Sequence, residues 1–129
     1  MGYSDRIDVG SLVGEVLTYI DTDEKNDEIM LTTASGRKIK IYHNQYGSEW
    51  VEIVDTEGNW HDLIGKVIIE ASEDVKEQGD PPPEYPDSWT RTELTFRVDG
   101  ATVISRWIGE SNGYYSESVH IEDVTKSVR

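Results

Sequence analysis

The chain contains no cysteine. That excludes disulfides, zinc–thiolate sites and thiol catalysis. Basic residues are scarce: 12 Lys and Arg stand against 26 Asp and Glu, a formal net charge of -14. This deficit argues against direct binding to nucleic acid or to an anionic membrane. No apolar run approaches the roughly 18 residues of a membrane span. The first nine residues lack the basic, apolar and small-residue order of a secretory leader, so none is expected. The hydrophobic share is 36%, low for a globular domain. Helical periodicity is almost missing. All four prolines fall between Pro81 and Pro86.

The patterns that are present have period two. In Thr92 to Val98, Leu94, Phe96 and Val98 alternate with Glu93, Thr95 and Arg97, which describes a half-buried strand. Asp99-Gly100 follows, a pair suited to a type I′ turn, and Ala101 to Ile108 return. A two-residue loop sets Val98 opposite Ala101, Phe96 opposite Val103, Thr92 opposite Trp107 and Glu93 opposite Arg106. A second hairpin spans Asp27 to Tyr42 around Ala34-Ser35-Gly36. A three-residue loop with Gly36 left-handed pairs Leu31 with Ile39 and Ile29 with Ile41, which keeps the apolar residues on one face. Further strands are expected at Glu15 to Asp21, Trp50 to Asp55, Lys66 to Ser72 and Glu117 to Val124. Asn59 can cap a single turn closed by Gly65, and Ser11 can open another before Gly14. The segment 73–87 carries six acids and the prolines against one lysine, and reads as an exposed acidic loop. The fold class that follows is mainly β. It is one domain over residues 1–129, a compact antiparallel sheet or small sandwich of about seven to eight strands with one or two single-turn helices.

Motifs for chemistry are few. The three histidines show no ligand spacing, so no metal is expected. There is no nucleophile motif and no P-loop, so neither an enzyme nor a cofactor is expected. The densest stretch is Arg106 to Ser116, with one arginine, three aromatics and a polar turn. Arg106 can contact a phosphate, Asn112 can hydrogen-bond, and Tyr114 or Tyr115 can stack on a base. A turn at residues 112–114 would bring His120 opposite Arg106 and Val119 opposite Trp107. The same residues have a plainer reading, in which Trp107 is core, Arg106 pairs with Glu93 and the tyrosines pack the turn. The acidic surface likewise serves solubility, or imitates a phosphate track in a partner's basic groove.

Two segments resemble a family of small bacteriophage and prophage proteins. One is Ile41-Tyr42-His43-Asn44-Gln45, followed by Val51-Glu52-Ile53, Asp62-Leu63-Ile64-Gly65 and Ile68-Ile69-Glu70-Ala71. The other is Arg106-Trp107-Ile108-Gly109-Glu110-Ser111-Asn112-Gly113-Tyr114-Tyr115-Ser116. Relatives often carry an acid and a Cys pair after the first element; this chain has Tyr46-Gly47-Ser48-Glu49-Trp50, so any role of those cysteines is absent. The chain is also similar, in size and β character, to the Thoeris anti-defence sponges, oligomers that sequester a cyclic ADP-ribose-type immune signal without cleaving it. The resemblance implies a non-enzymatic anti-defence protein in the host cytoplasm. A nucleotide-type ligand and a homo-oligomer are then expected, and the chemistry of the Arg106 to Ser116 stretch, not the resemblance, nominates Arg106, Asn112, Tyr114, Tyr115 and His120 to hold the ligand. The alternative is an acidic inhibitor of a basic host defence protein.

Overall fold

The structure is a computed structural model, and it describes residues 5–23, 25–45, 47, 49–77, 88–111 and 117–125. Among these residues nine strands form two sheets, eight of them longer than two residues. The strands are β1 (Asp5–Arg6), β2 (Leu17–Asp23), β3 (Glu28–Thr33), β4 (Lys38–Tyr42), β5 (Trp50–Glu57), β6 (Glu70–Glu77), β7 (Ser88–Val98), β8 (Ala101–Ser111) and β9 (His120–Asp123). One sheet has the order β1-β9-β4-β3-β2 and the other β5-β8-β7-β6. Every pairing between these strands is antiparallel. The expected β class holds.

A single apolar core joins the two sheets. Ile29, Leu31, Ile39, Ile41 and Ile121 come from the first sheet, and Leu94, Phe96, Val103 and Trp107 from the second. Trp107 is fully buried, and its Nε1 donates to Ser105 Oγ at 3.0 Å, so its one polar atom is satisfied inside the core. Two short 3-10 turns, Val9–Leu12 and Trp60–Leu63, add Leu12 and Leu63 to this core. Asn59 caps the second turn through His61 N, as its position predicts. The first is capped by Asp8, whose Oδ1 accepts from Gly10 N at 2.9 Å, and not by Ser11.

Both hairpin registers agree with the alternation. Val98 pairs with Ala101, Phe96 with Val103, Thr92 with Trp107 and Glu93 with Arg106. Leu31 pairs with Ile39 and Ile29 with Ile41, and Gly36 turns the loop at φ +96°. The Asp99-Gly100 turn differs from the I′ form: Gly100 has φ +82°, but among non-glycine residues described only Asp27 has positive φ. Leaving Asp99 out of the left-handed region spares it a cost of about 1–2 kcal/mol.

Three other expectations are corrected. The expected β8–β9 hairpin does not form. β8 already has β5 and β7 on its two edges, so β9 crosses to the other sheet and pairs β4 and β1. Residues 73–77, expected in the acidic loop, continue β6 and pair with β7 from Leu94 to Thr90. Beyond Ala71 this edge strand has no buried side chain from Ser72 to Lys76, so the alternation that marks a strand is absent there. The strand expected at Lys66 to Ser72 therefore begins only at Glu70.

Candidate functional site

The outer face of the four-stranded sheet gathers the charged side chains around Arg106. β8 is an inner strand of this sheet, and its outward positions are the even-numbered ones, from Thr102 to Glu110. Arg106 meets Glu93 across the hairpin and Asp55 across β5. Its Nε donates to Glu93 Oε2 at 2.9 Å, its Nη1 to Asp55 Oδ2 at 2.7 Å and its Nη2 to Glu57 Oε1 at 3.0 Å. The bonds to Glu57, Glu93 and Asp55 raise the arginine above its ordinary value. One positive charge thus serves three negative ones.

A bulge makes this arrangement. Ile53 faces inward opposite Trp107, and the register then shifts, so that Asp55 and not Val54 lies opposite Arg106. Without the extra residue Asp55 would face Ser105, which is fully buried; the bulge moves the acid to the solvent side. Asp27 braces the spot from the β2–β3 turn, accepting from Ile53 N at 2.9 Å. Burial raises the Asp27 pKa against that bond, and the nearby charges of Glu52 and Asp23 raise it further.

His120 is not part of this face. It pairs with Tyr42 in the other sheet and is buried. Its ring lies 5.2 Å from that of His43 and 5.7 Å from that of Tyr42. Its Nδ1 accepts from Asn44 N at 3.1 Å, so the ring must be neutral on that nitrogen. Burial lowers its pKa, and the charges of Arg6 and His43 lower it further, against Glu122. The unfolded chain therefore binds more protons near pH 6.5 than the folded one, and stability falls as pH drops below about 6.5. Urea unfolding should show this loss between about pH 7 and pH 5, and His120→Gln should flatten it. An equal slope in that variant would remove His120 as its source. The expected neighbourhood of Arg106 and His120 is thus absent. Asn112, Tyr114 and Tyr115 lie outside the described residues.

A second polar constellation, not anticipated from residue patterns, is buried at the segment that enters β9. His43 and Glu49 side chains are 3% and 0% exposed, and His43 Nε2 lies 2.7 Å from Glu49 Oε2. His43 Nδ1 lies 2.7 Å from Ser118 O. A carbonyl oxygen only accepts, so Nδ1 carries a hydrogen, and Nε2 and Glu49 share one proton between them. Gly47 N donates to Glu49 Oε1 at 2.8 Å, and Gln45 Nε2 donates to Glu49 O at 2.5 Å. Nearby in sequence, Glu117 is also buried and accepts from Thr90 Oγ1 at 2.7 Å and Ser111 Oγ at 2.5 Å. These contacts give the Tyr-His-x-Gln and Gly-Glu-Ser segments a shared structural task, which is fastening the 117–120 segment to both sheets.

No group of three or more His, Asp or Glu side chains among the described residues is arranged to hold a metal ion. No helix described is long and apolar enough to cross a membrane. Residues 10–121 match the family model described as a domain of unknown function, DUF7448. The chain belongs to that family. No curated protein and no solved structure matches it. The DUF7448 match takes in the Arg106 face and the His43–Glu49 pair, and ends inside β9.

Proposed function

We propose that this DUF7448 chain is a non-enzymatic binding protein that acts stoichiometrically on a basic protein, in the anti-defence role of the bacteriophage proteins it resembles. The observation that carries this is the Arg106 cluster. The guanidinium that a nucleotide phosphate would need is held by three carboxylates. A further anion would have to displace an acid already bonded, within a field that stays negative. The same cluster attracts a cation.

The rim along β5 fits such a partner. Glu52, Asp55 and Glu57 lie on this edge strand beside Glu110 of β8. Same-face positions on a strand recur roughly every 7 Å, about two phosphate steps of one duplex strand. Trp50 is 60% exposed at the head of this row and its Nε1 bonds Glu52. It borders a depression of about 310 Å³ lined by Asp27, Gln45, Glu49, Trp50 and Val51. An arginine or lysine side chain placed there meets the Trp50 ring and the Asp27 carboxylate together.

The test is a salt series. The immobilised chain is exposed to bacterial lysate, a retained protein is identified, and its binding is measured in purified form. The expected partner is basic, binds more weakly as salt rises and is displaced from the chain by competing duplex DNA. Glu52→Lys with Glu57→Lys should weaken binding at least about tenfold, chiefly through slower association. Salt-independent binding, or an undisturbed affinity in that variant, would refute the proposed surface.

A further inference from the structure

The β6–β7 half of the same outer face contains an arrangement that a lone chain does not favour. Two consecutive outward registers pair like with like: Lys76 lies opposite Arg91, and Asp74 lies opposite Glu93. Directly opposed like charges on neighbouring strands destabilise a sheet. Lys76, Arg91 and Asp74 are exposed. None of the three forms an ion pair among the described residues, whereas Glu93 bonds Arg106. The four side chains line one small depression.

A row of two cations beside a row of two anions is self-complementary. We propose that this face is the interface of a symmetric dimer, with a second copy of the chain as its occupant. The two-fold axis lies in the contact plane and runs across the strands between the two rows. Rotation about it sets Lys76 over Asp74 of the second copy and Arg91 over Glu93, and each pair occurs twice. An axis along the strands would oppose Lys76 to Arg91 and is excluded by charge. A free anion at Lys76 and Arg91 fits less well, because it would lie beside Asp74 and Glu93. A second copy matches both rows.

Stacked twisted sheets cross at about 30°. With the crossing centred on β6 and β7, the gap opens toward β5. That separates the carboxylates there and leaves the β5 rim free for its own partner. The two surfaces share only Glu93, which bonds Arg106 in the cluster and faces Arg91 in the dimer. The three strands β8, β7 and β6, about 4.8 Å apart, and a β6 of eight residues give a face of roughly 400 Å². A standard interface has about 800 Å² per partner, so a weak dimer is expected. The net charge of -14 on each copy opposes it. At physiological salt this repulsion is screened beyond about 8 Å, while contact pairs persist.

Sedimentation of the full chain over a range of concentrations at physiological salt tests the inference. The expected result is a monomer–dimer equilibrium with a dissociation constant in the micromolar range. Lys76→Glu with Arg91→Glu makes the patch wholly acidic, and Asp74→Lys reverses part of the other row. Each variant alone should dimerise at least about tenfold more weakly. Mixed together they regain three of the four contacts and should associate more tightly with each other than either does with itself, which also shows that both are folded. A wild-type chain that stays monomeric would overturn the inference, including one that instead takes up inorganic phosphate. So would variants that dimerise like the wild type, or a mixture that fails to associate.

Discussion

Glu49→Ala should lower the free energy of unfolding by about 3–5 kcal/mol, the usual effect of removing one member of a buried ion pair. Glu49 is wholly buried, and its side chain meets both His43 Nε2 and Gly47 N. Alanine leaves the imidazole without its proton partner and the Gly47 amide without its acceptor. Glu49→Gln keeps an oxygen for Gly47 and an amide hydrogen for a neutral His43, so it should lose less. Equilibrium urea unfolding followed by tryptophan fluorescence gives both values, with a substitution at exposed Asp21 expected within about 0.5 kcal/mol of wild type. A loss below about 1 kcal/mol for Glu49→Ala would show that the pair is not the fastening described.

Gly109→Ala should cost about 1–3 kcal/mol by overpacking. A Cβ at this position would sit 2.6 Å from Glu117 O and 2.9 Å from Glu117 Cβ. The first of these is a backbone atom, in the residue whose carboxylate is held by Thr90 and Ser111. The contact therefore cannot relax by a side-chain rotation. Gly36→Ala supplies the contrast, because a Cβ there meets nothing within 4 Å and only the φ of +96° opposes it. If Gly109→Ala left the urea midpoint unchanged, the 117–120 segment would not be packed against β8 as described.

The parts of the fold legible from sequence are those with local causes. Leu94, Phe96 and Val98 alternate with polar residues, and the turn that follows is two residues long, so the β7–β8 register could be read in advance. Gly36 did the same for β3 and β4. The partner of β9 could not be read this way. Choosing between β8 and β4 depends on which edges other strands have already occupied, and no short stretch of residues records that. The bulge at Val54 was hidden for a related reason: it shows only where Ile53 and Asp55 face strand β8.

The candidate site was legible in part. The Glu93–Arg106 pair followed from the hairpin. Asp55 and Glu57, which complete the clamp, required the bulge. Glu49 and Glu117 are buried among 26 acids, and abundance concealed them. Their usable signals were the neighbouring His43 and the hydroxyl-bearing Ser111, residues already within the two segments that carry the resemblance.

The Arg106 face is proposed to serve a basic partner and not a nucleotide. The most direct measurement is mass spectrometry of the full chain isolated from bacterial cells, first native and then denatured. The expected result is a complex with a basic protein that dissociates as salt is raised, and no nucleotide released on denaturation. Release of a nucleotide in near-stoichiometric amount would contradict it.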